Sequence, residues 1–174
     1  IILPIALYGY NHIQVYYKLE KSLPTSLESV SANNELKEKF NMISTEMLLV
    51  DKNLPNYKLE EMVDKIDNLD GIEWVLSTAK LEASGIPKDA LPEELLDILE
   101  TDKYQMIIIN SNYEIATDEL NAQVAQINEI IKEYDENAIL AGEGPLMKDL
   151  VQIADHDFNS VNIASIAVIF IIML

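Results

Sequence analysis

The stretch STEMLLVDKNLPNYKLEEMVDKIDNLDGIEWVLSTA, residues 44–79, decides the fold class. Within Ser44 to Asp51, the run MLLV (Met47 to Val50) is short enough for a strand and is closed by the turn-like KNLPN. The period then changes. Asn56 caps a helix that runs to about Asn68, with Leu59, Met62, Val63 and Ile66 at i, i+3, i+4 and i+7 on one apolar face. Asp70-Gly71 signals a turn. Ile72 to Ala79 (IEWVLSTA) reads as the next strand and carries the only tryptophan, Trp74. These residues make one β-α-β unit.

Working outward, the same order recurs downstream. Tyr104 to Ile109 (YQMIII) is a strand, and Thr117 to Tyr134 is a helix with Leu120, Val124, Ile127, Ile131 and Tyr134 on one face. Asn137 to Ala141 is a strand ending at Gly142. Between the two units, residues 81–102 hold Gly85, Pro87, Pro92 and a short helix, Glu93 to Leu99, which reads as an excursion. Upstream, residues 25–40 read as a helix that Thr25 or Ser26 caps, with a thin stripe of Leu27, Val30, Leu36 and Phe40. Two split β-α-β units of this size predict an α+β, ferredoxin-like β-α-β-β-α-β sandwich, with both helices on one face of a four-stranded sheet. The other sheet face then needs a cover: solvent, the excursion or a neighbouring domain.

The chain ends differ from this middle. Ile1 to Tyr10 and Val161 to Leu174 carry no charge, and every Asp, Glu and Lys lies between Lys18 and Asp157. Each run is shorter than the ~20 apolar residues of a spanning helix. The expectation is an excerpt cut inside two membrane helices. A signal peptide would need a basic n-region and a small-x-small cleavage site, which the first run lacks. A buried core helix is the competing reading of the last run. Tyr8, Tyr10, Tyr16 and Tyr17 suit a membrane–water boundary. Gly144-Pro145 starts a last helix, and no Pro or Gly interrupts Leu146 to Leu174. One rigid helix is therefore expected to run from the domain into the bilayer. The domain boundaries read as 1–12 (end of a first membrane helix), 13–158 (extracytoplasmic domain) and 159–174 (start of a second membrane helix).

Composition narrows the function. Among 174 residues, 30 are Asp or Glu and 12 are Lys, with no Arg, giving a net charge of −18. Such a chain is a poor binder of nucleic acid or anionic lipid surfaces. With no Cys, thiolate zinc and redox sites are excluded. Asp155-His156-Asp157 is the obvious metal candidate, but helix neighbours at i+1 and i+2 point apart, and only His12 remains as a second imidazole. Asp64, Asp67 and Asp70 lack the spacing and terminal Glu of a calcium loop. Glu133, Asp135 and Glu136 read as a solvated turn. Ser22, Ser26, Ser77 and Ser84 have no nucleophile setting, and the five glycines form no phosphate loop. No catalytic, cofactor-binding or metal residue is assigned, no cofactor is expected, and the chain is not read as an enzyme. Trp74, Met47, Met62 and Met106 either line an apolar ligand path or fill the core.

The stretch LPIALYGYNHIQVYYKLEKSLP (Leu3 to Pro24), followed by the SANNELKEKF helix and the MLLV strand, resembles the first extracytoplasmic segment of MMPL-type transporters of the resistance–nodulation–division superfamily. GEGPLMKDLVQIADHDF (Gly142 to Phe158) is similar to that family's passage into its second membrane helix, with Gly142, Asp149 and Asp157 where the passage tends to carry Gly and Asp. Ser22 to Pro24 (SLP), the β-α-β order and Leu91-Pro92 in the excursion agree. The resemblance implies a porter domain between membrane helices one and two of a proton-driven exporter of lipids or other hydrophobic compounds. It implies a plasma-membrane location with the domain on the extracytoplasmic side. The lipid bilayer, a hydrophobic substrate and the rest of the same chain, including a second porter domain, are then the partners; oligomerisation stays open. The family's proton-relay acids lie in later membrane helices, so no Asp or Glu here takes that role. The competing class is an extracellular ligand-sensing domain of a two-helix receptor or sensor kinase.

Overall fold

The computed structural model describes residues 23–174. The expectations placed on residues 1–22, including the first membrane helix, its tyrosines, His12 and Ser22, lie outside the described residues. Within them the fold is α+β: helix α1 (Glu28–Phe40), strand β1 (Ser44–Asp51), helix α2 (Asn56–Asp67), strand β2 (Ile72–Leu76), helix α3 (Thr78–Ala83), helix α4 (Glu93–Leu99), strand β3 (Tyr104–Ser111), helix α5 (Asp118–Tyr134), strand β4 (Ile139–Gly142) and helix α6 (Glu143–Met173). A single turn of 3-10 helix, Lys88–Ala90, lies between α3 and α4.

The four strands form one sheet in the order β2-β3-β1-β4, and every neighbouring pair is antiparallel. Each β-α-β unit thus takes a strand of the other between its own two strands. The central pair is held over its full length, from Ser44 opposite Ser111 to Asp51 opposite Tyr104. Alternation along a strand sends Leu48 and Val50 of β1, and Ile107 and Ile109 of β3, to one face. There they meet Leu59, Met62, Val63 and Ile66 of α2 and Ile127 and Ile131 of α5 in one buried cluster with Val75 and Ala79. Both helices therefore cover the same face of the sheet. Burial of these branched side chains, each worth about 1.5–3 kcal/mol, is what holds the layers together.

Local chemistry sets most boundaries, and several differ from the pattern reading. Strand β2 stops at Leu76 because the Ser77 hydroxyl accepts the Lys80 backbone N–H and caps α3, so STA belongs to a turn and a helix. Helix α1 starts at Glu28 with Leu27 at the cap position and no side-chain cap, so neither Thr25 nor Ser26 plays that part. The α2 cap is Pro55, whose carbonyl accepts the Lys58 and Leu59 N–H groups; Asn56 is the first helical residue. Thr117, read from the pattern as the first helical residue, instead caps α5, its hydroxyl accepting the Leu120 N–H. The excursion is tied to the sheet by Leu99, which is fully buried, and by a bridge from Glu100 to Gln105 of β3, while the Lys88–Glu100 ion pair at 2.6 Å closes the excursion on itself. Gly71 turns the chain into β2 with φ +81°, and an added Cβ there would run into the Tyr113 ring.

Ile107 and Ile108 are chain neighbours on opposite sheet faces, one fully buried and one half-buried. Ile107→Ala should cost about 2–5 kcal/mol of unfolding free energy, and Ile108→Ala about 1 kcal/mol or less. Denaturant unfolding of the whole chain in detergent checks the pair; equal losses would show that the helices do not define the core face.

Candidate functional site

Two features stand out once the core is assigned. The first is the sheet face that α2 and α5 leave uncovered. The register sets Leu76 opposite Ile108, Ile108 opposite Met47, and Met47 opposite Ala141, an apolar row across all four strands. A second row joins Met106, Leu49 and Ile139. Met47 is 44% exposed and Ile139 is 49% exposed. Trp74 and Asn110 close one end of the face as a cross-strand pair. A single-sided antiparallel sheet in water would alternate apolar with polar. These strands are apolar on both faces, which marks the second face as a contact surface.

The second feature is the root of α6. Strand β4 passes into this helix with no connecting residue, Gly142 ending one and Glu143 beginning the other. The turn places Gly142 at φ +142°, and a Cβ there would sit 3.0 Å from the Glu46 Cα and from the Thr45 carbonyl oxygen. Gly144 and Pro145 are buried in the first turn. Around them a smaller apolar cluster forms from Ile115, Ala116, Leu120 and Val124, with Tyr113, Leu140 and Met147 against it. Glu46 faces this joint from β1 and is 0% exposed. One carboxylate oxygen, Oε1, accepts the Ser44 hydroxyl; the other, Oε2, has no hydrogen-bond partner among the described residues. Burial pushes the Glu46 carboxyl above its ordinary value, against the smaller opposing pulls of the Ser44 hydroxyl and its own backbone N–H.

Sequence reasoning passed over Glu46, although the signal was present. Leu48 and Val50 point inward, and a period of two carries Glu46 and Ser44 to the same side. The residues it did single out are dispersed. Met47, Met106 and Trp74 lie on the open face, whereas Met62 is fully buried on the opposite side, so the four do not line one path. Asp67 pairs with Lys80 at 2.6 Å, and Asp70 accepts the Tyr113 hydroxyl at 2.8 Å. Asp64 contributes its backbone carbonyl to the Asn68 side chain. Glu133 pairs with Lys65 at 2.9 Å, and Asp135 accepts the Asp51 and Asn137 N–H groups, so the turn at the end of α5 fastens it to α2 and β1. Ser84 bonds back to the Lys80 carbonyl. His156 and Asp157 approach to 3.8 Å on an exposed helix face.

Gly142→Ala should destabilise the chain by about 1–3 kcal/mol, because both the backbone angle and the space forbid a Cβ. Thermal unfolding in detergent measures it; an unchanged midpoint would mean that the β4–α6 junction relaxes freely.

Helix α6 is the one described helix long and apolar enough to cross a membrane, and none of its apolar window is buried by the rest of the described residues. A search of curated proteins finds no match. The similarity to MMPL-type transporters read from the residues is borne out over residues 100–174, which match the model of the MMPL family. The matched span runs from the end of α4 through β3, α5 and β4 to the end of α6. It includes the Gly142 to Phe158 passage and excludes the Leu3 to Pro24 stretch. By that match and by α6, residues 100–174 are similar to the MMPL family and point to a membrane protein of transporter type.

Proposed function

We propose that the chain is the porter domain between the first and second membrane helices of an MMPL-type exporter of lipids or other hydrophobic compounds, driven by the proton motive force. The reading divides the chain at 1–12, 13–158 and 159–174, with the middle segment outside the plasma membrane. It takes the sheet and its two covering helices as ferredoxin-like, which the interleaved strand order and the shared helix face support. Residues 13–158 then do no covalent chemistry of their own. Their work is mechanical: they close on an apolar substrate and reopen.

The observation that carries this reading is the uninterrupted helix from Glu143 to Met173 within the family match. It leaves the sheet edge without a linker, and no Pro or Gly follows Pro145. A continuous helix transmits a rotation or tilt that a flexible linker would absorb. A packing change among membrane helices therefore reaches β4 and, through it, β1. The apolar sheet face that the described residues leave open supports the partner half of the reading, because a second porter domain of the same chain can cover it. The strongly acidic remainder of the surface keeps the module off anionic lipid while it moves.

A flexible Gly-Ser insertion beside Asn159 in the full transporter should abolish export while leaving the unfolding transition of the domain unchanged. Transport assays in vesicles with an imposed proton gradient, paired with a thermal melt, provide the check. Export at the wild-type rate by a correctly inserted variant would contradict the lever.

A further inference from the structure

We infer that Glu46 is a proton-binding site built into the joint between the sheet and α6, so that protonation holds the root of the helix closed and ionisation loosens it. The geometry is specific. Glu46 sits on β1 opposite Ile109 of β3 on one side and Gly142 of β4 on the other. Its Oε1 lies so close to Gly144 that a Cβ on that glycine would be 2.7 Å away, and Leu120 of α5 lies against the same point. The carboxyl is therefore enclosed by β1, β3, β4, α5 and the first turn of α6, fully out of water, with Oε2 unpartnered among the described residues.

Among the described residues, the neighbouring charges do not compensate it. Facing residues on β3, β4 and α5 are Ile109, Gly142 and Leu120, none of which ionises. The charged residues flanking these contacts are acidic and exposed: Asp118 and Glu119 in the first turn of α5, and Glu143 at the start of α6. The first cation on α6 is Lys148, one turn beyond Gly144 on the same side of the helix. The positive end of α6 and the Ser44 hydroxyl favour the anion, but burial of a charge with one empty oxygen outweighs them. Water is the remaining partner for Oε2, and it reaches the oxygen only when the first turn of α6 lifts from β1.

The sign follows from linkage. Well below the ordinary carboxyl value of 4.5 the group is neutral in both the closed and the opened joint, and it contributes no pH dependence. Above 4.5 the opened joint releases its proton first, so opening becomes easier as pH rises, until the closed form has also ionised. Through that window the opening equilibrium should change by up to about tenfold per pH unit. This inference needs only the joint, not the transport reading, and its readout is conformational, so the two can fail separately.

The test is amide hydrogen exchange at Met147 to Val151 of the whole chain in detergent, from about pH 4 to about pH 8, corrected for intrinsic exchange. Wild-type protection should fall with rising pH relative to Glu46→Gln, which stays flat. In parallel, the side-chain carboxyl carbon of Glu46 should titrate above 4.5, with its midpoint at the pH where the fall in protection levels off. If E46Q does not fold, agreement between the wild-type carboxyl midpoint and the pH where the fall in protection levels off supports the assignment, and disagreement overturns it. Parallel wild-type and E46Q profiles, or titration of Glu46 at 4.5 or below, would also overturn it.

Discussion

The structure depends on what the two central strands can bury. Strands β1 and β3 are paired through eight residues each and carry apolar side chains on both faces. Helices α2 and α5 are amphipathic, and their apolar stripes meet the same face of the four-stranded sheet. The interleaved order β2-β3-β1-β4 follows, since each helix must return over the same face and leave a gap for a strand of the other unit. The uncovered face, with Met47, Ile108 and Ile139, is the consequence. A domain built this way is stable through one layer of contacts and presents a second apolar surface outward.

The edge strand β4 then connects this sheet to the longest element. It is four residues long, paired only with β1 among the described strands, and continues directly into α6. Movement at the far end of α6 is therefore resisted by a short ladder, the cluster around Leu120 and Met147, and the enclosed carboxyl of Glu46. The buried cluster at the joint has four members, against twelve in the core beneath α2 and α5. The joint is the place where the domain can yield without unfolding.

Much of the fold was legible because periodicity is a physical requirement. The residues at i, i+3, i+4 and i+7 in α2 are the ones buried, and the runs within β1 and β3 are strands. What sequence could not give were outcomes of competition between local groups. Ser77 could extend a strand or cap a helix, and its hydroxyl chose the Lys80 N–H. Thr25 and Ser26 resemble caps, yet the chain begins its helix at Glu28. Methionine types do not reveal a face: Met62 went to the core while Met47 and Met106 went to the open side. Glu46 escaped notice because a glutamate is read first as solvated, although the period of two sets it on the inward side with Leu48 and Val50; its full burial and the closeness of Gly144 show the enclosure.

The continuity of α6 across the level where the chain loses its charges is the claim on which the mechanical account stands. Spin labels at the exposed positions Leu146 and Ile166 measure it directly in a bilayer. An unbroken helix predicts one narrow distance distribution, with the backbone positions separated by about 30 Å. A broad or divided distribution would place a hinge between the domain and the membrane and contradict the lever.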